Sequence, residues 1–222
     1  MNASLAGRRV LVSAGPTYED IDPVRFLGNR SSGRMGFALA AAAVALGAET
    51  VLVAGPVHLD APPGVRRVDV RSAAAMHEAV LAGLPADLYI GAAAVADWTP
   101  RQFAPHKLKK RPGADTLALE LVRTADILAD VAAHPTRPRC VVGFAAETGD
   151  DIELARYARG KLEGKRVDYI CANRVGIAGG GFESADNALQ VFWNDGERRF
   201  GPAPKTLLAA QLLDFIAARL PP

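Results

Sequence analysis

The chain has little of what holds metals and covalent bridges: two cysteines and four histidines in 222 residues. Cys140 and Cys171 sit in separate apolar runs with no metal-ligand spacing around them. That excludes a disulfide scaffold or a zinc module and leaves reduced core thiols, as expected of a cytoplasmic protein. His58, His77 and His134 have neither partners nor spacing in the sequence and are assigned no role. An excess of one charge is also lacking. The formal net charge is +2, so nothing in the total calls for nucleic acid or an anionic membrane. The apolar stretch Phe37–Leu46 is too short to span a bilayer. The polar N-terminus, with Gly7-Arg8-Arg9 feeding straight into a strand, reads as no secretory signal. No repeat or low-complexity linker divides the chain, so one domain over residues 1–222, long enough for a sizeable core, is expected.

Two nucleotide fingerprints are missing as well. The first apolar run is followed by Gly15-Pro16-Thr17-Tyr18 and not by G-x-G-x-x-G. The second ends Val53-Ala54-Gly55-Pro56, with no acid to hold a ribose, and no Walker-type P-loop occurs. These absences count against an NAD(P)-linked oxidoreductase.

What is present is regular alternation. Strands are expected at Val10–Ala14, Glu49–Val53, Arg67–Val70, Leu88–Gly91, Cys140–Phe144 and Tyr169–Ala172. Helices are expected at Met35–Leu46, Ala73–Leu84, Ile127–Ala133, Ile152–Lys165 and Lys205–Leu220. The strands are continuously apolar, as in a parallel sheet covered on both faces. The fold class is therefore α/β: a doubly wound, Rossmann-like, mostly parallel sheet with helices on both faces and a small added β region. The additions are Thr116–Val122, with strand-like alternation, and Ala188–Trp193 with Glu197–Phe200 around an Asn194-Asp195-Gly196 turn, after a Gly-rich stretch from Gly176. Ligands of such sheets collect at the carboxyl ends of the strands.

The polar excursion from Gly15 to Gly36 leaves the first strand there and enters an Ala-rich helix. Excursions of that length tend to be functional. Its Ser31-Ser32-Gly33 can cap the helix, and the freed amides suit an anionic, phosphorylated ligand. Further candidates follow the other strands. Ala92-Ala-Ala-Val-Ala-Asp97 lets a flat ring or sugar approach the backbone, and is equally a tight strand–helix packing with a capping Asp97. His106-Lys-Leu-Lys-Lys110, among prolines, reads as a mobile loop able to close over a polyphosphate, or simply as a solvated basic face continuing to Arg111. Phe144 can stack on a base or sit in the core, with Glu147 and Thr148 as caps of the next helix. Thr124 looks like an N-cap, Lys161 and Lys165 share a helix face, and Asn173 follows the sixth strand.

Taken together, Gly15-Pro-Thr-x-Glu19, Ile21-Asp-Pro-Val-Arg25, Asn29-x-Ser-Ser-Gly33, Ala93-Ala-Val-Ala-Asp97, Lys107-x-Lys-Lys110, Gly143-Phe-Ala-Ala-Glu-Thr148 and Cys171-Ala-Asn173 resemble the phosphopantothenoylcysteine synthetase family, over nearly the whole chain. The resemblance implies a ligase of coenzyme A biosynthesis. It joins 4′-phosphopantothenate to L-cysteine with CTP and Mg2+, through an acyl-cytidylate, releasing pyrophosphate and CMP. It implies Asn29 and Lys107 as catalytic residues. Nucleotide contacts implied are Ala93, Ala94, Asp97, Lys107, Thr124, Ala125, Asp126, Ile127, Phe144, Lys161 and Lys165. The substrate phosphate is implied near Arg30, Ser31, Ser32 and Gly33, beside Asn29. Two positions depart from the family pattern: Thr124-Ala125 stands where Asn-Pro is common, and Arg34 where lysine is usual. A homodimer paired through the added strands, a fused or separate phosphopantothenoylcysteine decarboxylase, and no flavin or NAD in this domain are also implied. The competing class is a non-catalytic nucleotide-sensing domain, which needs neither Asn29 nor Lys107.

Overall fold

The computed structural model describes residues 4–110, 113, 115–175 and 186–221. Its centre is an eight-stranded sheet. Six strands are parallel: β1 (Arg9–Ala14), β4 (Glu49–Ala54), β5 (Val65–Asp69), β6 (Leu88–Gly91), β9 (Cys140–Glu147) and β10 (Tyr169–Arg174). Two antiparallel strands, β11 (Asp186–Trp193) and β12 (Gly196–Pro204), extend the sheet beyond β10. The order is β12-β11-β10-β9-β6-β1-β4-β5. β1 hands the chain to β4 on one side and β6 lies on the other, so the strand order reverses between β1 and β6. That crevice is where a doubly wound sheet takes its ligands.

Alternate residues of each strand point to opposite faces and build two cores. Val10, Val12 and Ala14 pack with Leu52, Ile90, Val142 and Val191 under α1 (Arg34–Ala45) and α5 (Lys205–Ala217). Leu11, Val51, Val53, Val141 and Ile170 face α2 (Ala73–Ala82), α3 (Ile127–Ala133) and α4 (Asp151–Lys165). Burial on both faces explains why the sequence shows continuous apolar runs there. Cys140 and Cys171 lie inside, and burial pushes both thiols far above their ordinary range, so neither is a nucleophile. Among the described residues no helix is long and apolar enough to cross a membrane.

Two small sheets overhang the carboxyl ends. Within the Gly15–Gly36 excursion, β2 (Tyr18–Asp20) pairs antiparallel with β3 (Phe26–Gly28). Beyond β6, β7 (Trp98–Pro100) pairs with β8 (Leu121–Arg123). The sequence signalled neither β2 nor β3, and it overstated β8. The alternation Thr116–Val122 becomes a strand only from Leu121, because the ladder with β7 covers three residue pairs. Leu117 and Leu119 have no sheet face to pack on and stay exposed. Smaller differences have local causes. The strand expected at Arg67–Val70 forms at Val65–Asp69, and α2 stops at Ala82 because Gly83 caps it and Pro85 follows. α5 ends at Ala217, three residues short of the expected Leu220. Residues 176–185 of the Gly-rich stretch, and Arg111, lie outside the described residues.

Candidate active site

Helix α1 begins against β1. Gly33 takes the N-cap position at φ 73°, a left-handed value that favours glycine. A β-carbon at Gly36 would overlap the Ala14 methyl, so glycine lets the first turn sit directly on the strand. The expected serine cap is absent. Ser31 Oγ accepts only the Gly33 N–H, at 3.3 Å, and no side chain caps α1. The first-turn amides are therefore left for an anion.

The opposite wall is the turn after β6. Pro16 and Ala94 continue the β1–β6 pairing past the strand ends, with Ala94 N donating to Gly15 O at 2.9 Å. Buried Thr17 accepts the Ala96 N–H at 2.9 Å. Asn29 is tied to the same turn: its Nδ2 donates to Val95 O at 2.8 Å and, more weakly, to Ala94 O at 3.4 Å. The Asn29–Gly33 and Ala93–Asp97 segments thus face each other across one cleft.

That cleft encloses about 970 Å³ and is lined by Asn29, Arg30, Ser31, Ser32, Gly33, Ala93, Ala94, Asp97, Thr124, Ala125, Asp126, Ile127, Phe144, Lys161 and Lys165. Every residue the sequence singled out for nucleotide or substrate therefore meets in one place, with one exception. Lys107 is not among the lining residues. Its segment, read from the sequence as mobile, is pinned elsewhere: Ala104 N donates to Ile21 O at 2.9 Å and Leu108 N to Asp22 Oδ2 at 3.0 Å.

The individual roles differ from the sequence reading in three places. Thr124 does not cap α3; its Oγ1 donates to Ala96 O at 2.7 Å, and the cap is Asp126, which accepts the Ala129 N–H at 3.1 Å. Nor do Glu147 and Thr148 cap α4. Asp150 does so, in a capping box with Glu153, because this pair stands at the right spacing one turn later. Glu147 instead meets Lys161 at 2.8 Å, and Asp126 meets Lys165 at 2.9 Å. These pairs hold both ammonium groups at the α4 side of the cleft.

Several lining residues were not assigned by sequence reading. Trp98 and Arg123 stack at the rim, with the guanidinium carbon 5.6 Å from the ring centre. Tyr89 OH and Ser13 Oγ share a hydrogen bond of 3.0 Å at the floor, and burial raises the phenol to about 12. Asn187 and Lys205 also line the cleft, beside Asn173, a candidate from the sequence, and Arg34. Lys205 is only 7 % exposed, and burial together with the nearby Arg34 charge lowers its ammonium below the usual lysine range. A lysine opening the last helix carries no signal in the sequence, since only the packing of α5 against α1 brings it to the site. The cleft holds six basic side chains (Arg30, Arg34, Arg123, Lys161, Lys165, Lys205) against two acids, Asp97 and Asp126. Such a surplus in a concave site suits polyanionic ligands.

The chain matches the family described as DNA/pantothenate metabolism flavoprotein C-terminal domain over residues 5–220. It is 50% identical over 213 residues to the coenzyme A biosynthesis bifunctional protein CoaBC of Vibrio cholerae, covering 96% of this chain and 53% of that protein. The CoaBC of Bacillus subtilis is 47% identical over 220 residues, 98% of this chain and 53% of the relative. The chain thus spans about half the length of the curated relatives it matches. Among solved structures, the C-terminal domain of CoaBC superposes with a TM-score of 0.80 at 37% identity, covering 99% of this chain and 98% of that one. The chain belongs to the DNA/pantothenate metabolism flavoprotein C-terminal domain family.

Proposed function

We propose that this domain is the ligase that joins 4′-phosphopantothenate to L-cysteine through an acyl-cytidylate, using CTP. The observation that carries the reading is one cationic cleft, at the strand-order reversal, that gathers segments running from Asn29 to Lys165. Its volume lies at the upper end for a small-molecule site and leaves room for two substrates at once.

In the proposed first step, the pantothenate carboxylate attacks the α-phosphorus of CTP, the α–β phosphoanhydride breaks, and pyrophosphate leaves. In the second, the amine of cysteine attacks the acyl carbon, the bond to CMP breaks, and the amine gives up a proton. The α4 side suits the nucleotide. Lys161 and Lys165 meet phosphate oxygens there, Ala93 and Ala94 allow close approach, Thr124–Ile127 bring the α3 start, and Phe144 offers a ring face. The α1 side suits the phosphate monoester, through the uncapped amides after Gly33, Ser31, Ser32 and Arg30, joined by Arg34 and Lys205.

Asn29 stands between the two. Its Nδ2 is held by Val95 O at 2.8 Å and makes only a 3.4 Å contact with Ala94 O. The acyl oxygen can displace that weak contact as negative charge builds on it, so the amide serves as a fixed donor.

Among the described residues no three His, Cys, Asp or Glu side chains are grouped to hold a metal ion. The donor set therefore fits magnesium carried on the nucleotide's own phosphate oxygens, with Asp97 as the cleft carboxylate not paired to Lys165. Bound there, the ion would offset charge on the separating phosphates.

A homodimer is part of the proposal. β11 lies between β10 and β12 and is largely buried, so Ala188–Trp193 offers no pairing surface. Val24, Phe26, Trp98, Phe103, Leu117 and Leu121, on the small sheets and their loops, are exposed instead and supply one. Because Lys107 lies on this overhang and outside its own cleft, a second copy seated there gives it a polyphosphate to act on. The remaining half of the relatives' length is proposed to carry the decarboxylase partner. Mass spectrometry of products from the purified protein, 4′-phosphopantothenate, cysteine and each nucleoside triphosphate in turn tests the reading. Phosphopantothenoylcysteine formed with CTP is the expected result, and none with any nucleotide would leave a binding domain.

A further inference from the structure

The turn between β2 and β3 contains a carboxylate that the proposed chemistry does not use. The Asp22 side chain has no exposed surface, yet it meets five donors. Its Oδ1 accepts the Val24 and Arg25 amides, each at 2.9 Å, which closes the turn on itself. Its Oδ2 accepts Arg25 Nε at 3.1 Å, Arg25 Nη2 at 2.6 Å and the Leu108 amide at 3.0 Å. Arg25 Nη2 also donates to Leu108 O at 2.7 Å. Both polar groups at Leu108 are therefore gripped from a point 83 and 86 residues away in the chain. The Arg25 guanidinium, and after it the Leu108, Val24 and Arg25 amides, hold the Asp22 carboxyl well below its ordinary range, so it stays charged.

We propose that Asp22 is a positioning residue: through the clasp it forms with Arg25 on Leu108, it fixes where Lys107 stands during nucleotidyl transfer. The inference rests on the ligase reading above. Bonds to an ionised group are roughly twice as strong as neutral ones. Releasing Leu108 would leave a charged, fully covered carboxylate short of a donor, which is costly. The clasp therefore stays closed through ordinary fluctuation, and Lys107, bonded directly to the gripped residue, acts from the clasped position. A flexible lysine tail would otherwise lose much of its effect, because charge stabilisation depends on a group already in place.

Asp22→Asn cuts the clasp selectively. The amide keeps an oxygen for the Val24 and Arg25 N–H groups, but an NH2 then confronts the Leu108 and Arg25 donors. Leu108→Pro removes the gripped N–H without touching Asp22 and serves if the first variant fails to fold. The experiment measures pyrophosphate release with CTP and 4′-phosphopantothenate in wild type, Asp22→Asn, Lys107→Gln and the double variant. Amide hydrogen exchange is followed at residues 104–110. We expect faster exchange at Leu108, a kcat for pyrophosphate release lowered ~10-fold or more with KM for CTP within about twofold, and a double variant no slower than Lys107→Gln alone. A purely structural Asp22 would instead multiply the Lys107→Gln loss, which overturns the proposal. So does a full rate in Asp22→Asn with the segment freed. A wild type that releases no pyrophosphate removes the ligase reading, and this inference with it.

Discussion

β1 and the hairpin that follows it are neighbours in the chain but are fixed by opposite means. Five of the six β1 residues are buried between two helical layers, and at the four apolar ones any apolar side chain of similar volume would serve. The β2–β3 hairpin has little core of its own. It is placed by single polar contacts: buried Glu19 accepts the Ala73 amide at 2.7 Å, Thr17 accepts that of Ala96, and Asp22 holds Leu108. The two regions should therefore answer differently to substitution. The sheet should lose stability and keep its chemistry, and the overhang should do the reverse.

The largest effect on stability belongs to the sheet. Leu52 in β4 has no exposed surface, and Leu52→Ala leaves a cavity between β4 and α1. The expected loss is about 2–5 kcal/mol in denaturant unfolding. Ligase turnover per folded molecule should stay within about twofold, since Leu52 is not among the residues that line the cleft. A turnover that falls in step with stability would remove the contrast.

Asn29→Asp tests the other side. A carboxylate at this position cannot donate to Val95 O or Ala94 O and is repelled by both carbonyls. It also cannot donate to the acyl oxygen. Amide formation should drop by ~10²–10³ while pyrophosphate is still released, so that acyl-cytidylate accumulates. The melting temperature should shift far less than for Leu52→Ala. A normal yield of amide would refute the role given to Asn29.

The same contrast governs what could be read from the sequence. The parallel strands and the helices covering them were legible because burial on both faces writes itself as apolar runs broken by helical spacing. The cleft was legible where rare strings follow those strands, as with Asn29–Gly33 and Ala93–Asp97. β2 and β3 were not, because their three-residue ladders leave no period to detect. The caps were misassigned for a related reason. Thr124, Glu147 and Thr148 have the right chemistry at the strand ends, but Asp126 and Asp150, a little further on, stand where the helical amides begin. Lys205 and the Asp22–Leu108 clasp escaped notice because each is a contact between distant segments, which no local pattern encodes.

Lys205→Gln sharpens the comparison, since Lys205 opens a core helix and yet lines the cleft. Burial and Arg34 disfavour its charge, and a bound phosphate dianion would restore it. KM for 4′-phosphopantothenate should rise about tenfold, equivalent to ~1.4 kcal/mol. With unphosphorylated pantothenate the variant and wild type should match. Equal losses on both substrates would make Lys205 a packing residue only.

The smallest effect is expected where the overhang meets solvent. Arg71 reaches Asp20 with two nitrogens, at 2.6 and 3.0 Å, and lies over the Tyr18 and Phe26 rings. Both partners are substantially exposed, so a double-mutant cycle should give only ~0.2–1 kcal/mol, shrinking as salt is added. The pH dependence has a fixed sign. Arg71 holds the Asp20 carboxyl below its ordinary value of 3.8, so the contribution is present above that value and is lost as pH falls through the lower, folded one. If the cycle instead shows a coupling as large as a buried contact, the pair is shielded from water in solution. The natural shield would be a second copy seated on Val24 and Phe26, and the coupling should then weaken on dilution to the monomer.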